Sequence, residues 1–211
     1  MPPSSEVTLA RSNVDIANQA LNMLGHEAIT SFDEDTEAAA LVDQLFETTR
    51  DEIFVTHPWN CLIARSSSLA QDATGPNFGY DYSYTLPTNC LRVLYCDCQD
   101  NGYKWEIEGN KLLSNADTPV YIKYIKKETD VNKWSIFLYK LVIIRLAAKM
   151  ALALTEDNAL ARGLFDLFER EYREARFLDA AEGKYKYVNT DIFIKNRRSS
   201  YYDSTFDYIF Y

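Results

Sequence analysis

The sequence predicts an α+β fold: an antiparallel helical bundle of about four helices with an inserted antiparallel β-meander and an extended C-terminal arm. Three observations carry this. Apolar residues recur at helical spacing on both flanks of the chain, and the period falls to two between residues 69 and 127. The stretch WSIFLYKLVIIRLAAKMALALT, residues 134–155, is apolar almost all the way round a helical wheel. A helix with so little polar surface belongs in the middle of a bundle. About twenty apolar residues would also span a bilayer. Lys140, Arg145 and Lys149 make that costly, at roughly 2.5–3.5 kcal/mol each near the bilayer centre, so no membrane is expected. Arg145, Lys149 and Glu156 share one stripe. Lys140 stands nearly opposite, on an apolar side, and needs a carboxylate or carbonyl partner near the β region or in a neighbouring subunit. The bundle is assigned to 12–60 and 130–183, the β-rich insertion to 61–129 and the arm to 184–211.

The first helix starts near Ser12 or Asn13, with Ile16, Ala17, Ala20, Leu21 and Leu24 on one face and Gly25 at its end. The link HEAITSFDED follows, in which Ser31 and Glu34 have capping-box spacing and Asp33 or Asp35 could cap equally well. A second helix is expected over 34–56, stopped by His57-Pro58, because proline disfavours helical geometry in the residue before it. Residues 61–64 should be extended. In the insertion, Tyr80, Tyr82 and Tyr84 alternate with polar residues, and 91–95 reads as another strand. Asp100-Asn101-Gly102 signals a hairpin leading to Trp105 and Ile107 on one face and Glu106 and Glu108 on the other. Gly109-Asn110 gives a second turn, and 120–126 a last strand. A final helix runs from Asp157 or Asn158 to about Ala181, with Asp166/Arg170 and Glu169/Arg173 as i, i+4 pairs, and Gly183 ends it.

The arm carries Tyr185, Tyr187, Phe193, Tyr201, Tyr202, Phe206, Tyr208, Phe210 and Tyr211 without a clear period, and Lys184, Lys186, Lys195, Arg197 and Arg198 make its first half basic. It is too aromatic for an ordinary disordered tail. Either it folds back on its own bundle, or its aromatics and Arg197 and Arg198 dock on another chain, which is the preferred expectation.

A net charge of −9 over 211 residues argues against wrapping nucleic acid, while leaving room for DNA to slide past an acidic surface. Cys61, Cys90, Cys96 and Cys98 lack the spacing and histidine partners of a zinc site and read as buried free thiols in a reducing cytoplasm; no metal or other cofactor is expected. The polar N-terminus MPPSSEVTLARS gives no reason to expect a signal peptide. His57 and Cys61 are near enough to suggest a nucleophile pair, but Pro58 lies between them and His57 reads better as a residue packing its helix end. Glu106 and Glu108, with a Cα separation near 6.5–7 Å on a strand, are roughly compatible with a paired-carboxylate glycosidase acting on exopolysaccharide. A solvated polar face is the commoner meaning of that pattern, so the chain is not expected to be an enzyme.

Several segments occur in a telling order: IANQALNMLG, ITSFDEDTEAA, RDEIFVTHPWNCLIARSSSLA, YTLPTNCLRVLYCD, WEIEGNKLLSNADTPVYIKYI and RLAAKMALALT. Together, over roughly 16–181, they resemble the tail tubular protein A family, the head-to-tail adaptor of short-tailed bacteriophages. The resemblance implies a structural virion protein with a helical bundle and a β-rich insertion. It further implies a homo-oligomeric ring, thought to be of twelve subunits, at the head–tail junction, assembled in the host cytoplasm. Such a ring joins the portal protein to the tail nozzle (tubular protein B-like) and lets double-stranded genomic DNA leave through its bore without sequence-specific binding. Each subunit must present complementary surfaces to two neighbours. In related adaptors a C-terminal arm is thought to reach toward the portal. The residues after Ala181 carry no residue-by-residue resemblance.

Overall fold

A computed structural model describes residues 11–117 and 119–182, which form four helices and two antiparallel sheets. Each helix starts where a side chain takes over an orphan amide. At α1 (Asn13–Met23), the Ser12 hydroxyl accepts the Asp15 amide at 3.1 Å and the Asp15 carboxylate accepts the Ser12 amide at 2.8 Å. α2 (Glu37–Thr56) begins later than its apolar pattern suggests, with the Thr36 hydroxyl accepting from Ala39 at 3.2 Å. The Ser31–Glu34 pairing does not form. The Glu34 carboxylate instead accepts the Thr30 amide at 2.8 Å and hydroxyl at 3.0 Å, folding the linker on itself. Those bonds, the amide first, hold the Glu34 carboxyl below the usual range.

α3 (Ile136–Thr155) is capped by Ser135. Trp134 therefore lies outside the helix, as a buried plug whose indole N–H donates to the Glu128 carbonyl at 3.1 Å and whose ring meets Phe54 edge-on at 5.2 Å. α4 (Asn158–Ala181) is started by Asp157, whose carboxylate accepts the amides of Ala159 and Leu160 at 2.7 and 3.1 Å. α3 packs against all three other helices. Leu138, Val142, Leu146, Ala147, Met150 and Ala151 are fully buried there, as an almost wholly apolar wheel requires. The expected pairs Asp166/Arg170 and Glu169/Arg173 do not close. Arg170 lies 3.7 Å from Glu171 instead, which is unsurprising because exposed ion pairs gain little over water.

The β-forming residues do not follow one another in a single meander. β1 (Ile63–Arg65), β7 (Ile122–Lys126) and β4 (Cys90–Cys96) make one sheet, in the order β1-β7-β4. β2 (Ala70–Gln71), β3 (Tyr82–Thr85), β6 (Lys111–Ser114) and β5 (Trp105–Glu108) make the other, in the order β2-β3-β6-β5. The hairpin read at Asp100-Asn101-Gly102 is instead a crossing between sheets. A 3-10 turn over Asp97–Asn101 ends at Gly102, whose φ of 81° favours a residue without a Cβ. The local turn forms as its residues demand, but β4 has already paired with β7, and β5 pairs with β6. Gly109-Asn110 does close a true hairpin, placing Glu108 opposite Lys111. Residues 61–64 are likewise divided, between a 3-10 turn over Asn60–Leu62 and β1.

β7 buries apolar side chains on both faces, and that fixes the layering. Ile125 enters the core shared by the helices, while Ile122 and Tyr124 join Tyr84, Leu112 and Cys96 in a second core beneath the other sheet. The first sheet is thus the middle layer. Charge clamps the end of its central strand to α2. The Arg50 guanidinium, buried along α2, lies 2.8 Å from Asp51 and 3.4 Å from Glu47, and Lys127 reaches the same two carboxylates at 3.1 and 3.3 Å. A buried guanidinium is tolerable only with such partners.

Candidate interaction surfaces

The motif HPWN, which ends α2, acts as a latch. Trp59 is fully buried, its indole N–H donating to the Ile53 carbonyl at 3.0 Å, and its ring lies edge-on to His57 at 4.7 Å and to Tyr172 at 6.1 Å. The Asp179 carboxylate, near the far end of α4, accepts the Asn60 amide at 3.0 Å and faces His57 Nε2 at 3.1 Å. A carboxylate accepts at both oxygens, so Nε2 carries the proton. The Asn60 side-chain amide adds a 2.6 Å bond to the Asp179 carbonyl. His57, Trp59 and Asn60 thereby tie the end of α2 to α4. His57 is committed to Asp179 rather than to Cys61, and burial pushes the Cys61 thiol up, away from the thiolate a nucleophile needs.

Glu106 and Glu108 lie on β5, which among the described residues pairs only with β6 and is an edge strand. Both are exposed, and Glu106 accepts the Tyr80 hydroxyl at 3.3 Å. One hollow beside this strand is lined by Tyr80, Gln99, Gly102, Tyr103, Lys104 and Trp105; another includes Ile107, Gly109 and Asn110. Neither glutamate lines either hollow. The apolar enclosure that suits a proton-donating carboxyl does not surround either side chain. A tighter carboxylate beside this sheet carries no local signal in the sequence. Asp72 accepts the Ser83 and Thr85 hydroxyls at 2.6 and 2.8 Å and lies 2.9 Å from the Lys111 ammonium. The Ser83 bond, then those from Lys111 and Thr85, hold its carboxyl at about 2. Asp72 is a clip across three strands.

All four cysteines are free thiols. Burial, reinforced by Cys98, pushes the Cys96 thiol to about 12. Among the described residues no three His, Cys, Asp or Glu side chains gather as metal ligands. No described helix is long and apolar enough to cross a membrane.

What remains is surface on α3 and α4. Lys140 is half-exposed and pairs with Glu171 of α4 at 2.5 Å. The sequence places its partner near the β region or in a neighbouring subunit; Glu171 lies instead in the same chain, across the α3–α4 seam, because α4 packs along the side of α3 that carries Lys140. The ammonium holds the Glu171 carboxyl below the usual range. Around this pair, Ile136, Phe137, Leu141, Glu174 and Ala175 line a groove of about 190 Å³. On the other flank of α4, Arg145 stacks its guanidinium over Phe165 at 4.5 Å and Phe168 at 5.0 Å. Glu52, Ile53, Thr56, Glu169 and Tyr172 complete a second groove there, of about 210 Å³. Phe177 is 73% exposed and Ile136 54% exposed on these two helices. The apolar spacing of α4 pointed to its buried face, but exposed Phe177 has no periodic signal to reveal it.

The arm residues singled out in the sequence, Tyr185, Tyr187, Phe193, Arg197, Arg198, Tyr201, Tyr202, Phe206, Tyr208, Phe210 and Tyr211, lie outside the described residues. No protein-family model matches the chain, and no curated protein matches it at a significant level.

Proposed function

We propose that this chain is a structural virion protein, a head-to-tail adaptor of the tail tubular protein A kind. Its copies form a ring that joins a portal protein to a tail nozzle and lets the genome pass. In this reading, residues 12–60 and 130–183 are the helical bundle, 61–129 the β-rich insertion and 184–211 the arm that grips a partner. The observation that carries the reading is the ordered set of segments, above all RDEIFVTHPWN followed by LPTNCLRVL and WEIEG.

Two features of the fold agree with the reading. Four helices and two antiparallel sheets make the mixed composition such an adaptor needs. The HPWN residues make long-range contacts to α4, so that segment has a structural reason to be kept together. A net charge of −9 also suits a bore that must not hold DNA by its phosphates.

The test is to mix the purified full chain with portal particles encoded beside it and to image the product by cryo-electron microscopy. Closed rings stacked on the portal are expected. A chain that stays monomeric at all concentrations and never joins the portal overturns the proposal.

A further inference from the structure

The α3–α4 groove lies close to the point where the described chain ends. Its apolar lining comes from Ile136, Phe137, Leu141 and Ala175, and its charged rim from Lys140, Glu171 and Glu174. At about 190 Å³ it falls below the roughly 300–1,000 Å³ of small-molecule pockets. One or two side chains would fill it. Glu171 is already held by Lys140, whereas among the described residues no ion pair includes Glu174.

Chain length selects an occupant. From Ala175 to the end of α4 the helix rises about 10 Å, at 1.5 Å per residue. Residues 183–187 can span at most about 17 Å when extended. That is enough to turn back and reach Glu174 and Ala175. It is far too little to reach the opposite end of α4, about 36 Å away. The sequence over 184–187 is Lys-Tyr-Lys-Tyr. In an extended segment alternate side chains point to opposite sides, so this pattern offers two tyrosines to an apolar groove and two ammonium groups to an acidic rim.

We propose that the α3–α4 groove receives residues 184–187 of the same chain, with Tyr185 or Tyr187 in the apolar lining and Lys184 or Lys186 against Glu174. A tether this short sets an effective concentration of about millimolar. A second copy in micromolar solution therefore competes poorly for the groove. The docking belongs to the free chain and does not depend on the adaptor reading.

A photo-reactive benzoyl-phenylalanine placed at position 187 of the full chain tests this, with the products sorted by mass and mapped by peptide sequencing. Cross-links are expected within one chain, to peptides containing residues 136–141 or 171–175. Glu174→Lys should cut their yield about threefold, the scale of one exposed ion pair. Adding Lys184→Glu and Lys186→Glu should restore it. Thermal unfolding of the Glu174→Lys chain at an unchanged midpoint separates loss of docking from loss of fold. Cross-links at dimer mass only, cross-links to the sheets, or a yield indifferent to both charge changes would each overturn the proposal, whether or not the chain joins a portal.

Discussion

The helical part and the outer sheet are held by different forces. Around α3, six fully buried apolar residues, Trp59 and the ring of Phe54 make a core that depends on volume. The sheet β2-β3-β6-β5 rests on a smaller apolar cluster and on specific polar links: the Asp72 clip and the bond from the Tyr84 hydroxyl to the Ala116 carbonyl. A core of the first kind should be intolerant of lost volume. The second kind should respond to single polar atoms. β7 joins the two, since its faces belong to different cores.

The largest expected effect breaks the helical side. Trp59→Ala removes a fully buried indole at the hub of the latch and should cost about 3–5 kcal/mol. Chemical denaturation followed by helical circular dichroism measures it. The loss should appear in the midpoint and leave the slope unchanged. A cost below about 1 kcal/mol, the level of ordinary surface substitutions, would mean that the latch is ornamental.

Much of the helical part is legible in sequence because its signals are local. Ser12, the i, i+4 apolar faces of α1 and α4, and the Pro58 stop are each read within a few residues. The latch is not legible. Asn60 and Asp179 are 119 positions apart, and an aspartate on a helix end carries no mark of its partner. Sheet pairing fails for the same reason. Asp100-Asn101-Gly102 specifies a turn, but which strand β4 meets is decided by β7, which buries apolar side chains in both cores and so takes a central place. Lys140 pairs with Glu171, a partner no local pattern names, because helix packing brings the two together across 31 positions.

An intermediate effect probes the outer sheet. Tyr84→Phe leaves the shape of a buried ring unchanged and strips the Ala116 carbonyl of its donor, which should cost about 1–3 kcal/mol. If the comparison holds, the loss is local. Amide exchange should quicken in β3 and β6 while α3 keeps its protection, the sign of a cooperative unit that opens by itself. Uniform acceleration across α3 and β6 would show instead that β7 welds the two cores into one unit.

The smallest effect sharpens the comparison by its sign. The Asp72 carboxyl is lowered from 3.8 to about 2 by its donors. A depressed carboxyl contributes stability that is present above its unfolded value and is lost as pH falls through its folded value. Exchange protection in β2, β3 and β6 should therefore be constant above about pH 4 and decline toward pH 2, through this group. Asp72→Asn keeps the shape of the clip and removes its charge toward Lys111, so the variant should be less protected at neutral pH and flatter across that acid window. The amides of α3, which face no part of this clip, should show the same acid profile in both proteins. If the variant and the parent decline in parallel in β3, Asp72 is not the group that titrates there, and the outer sheet does not differ from the helices in the way its polar links imply.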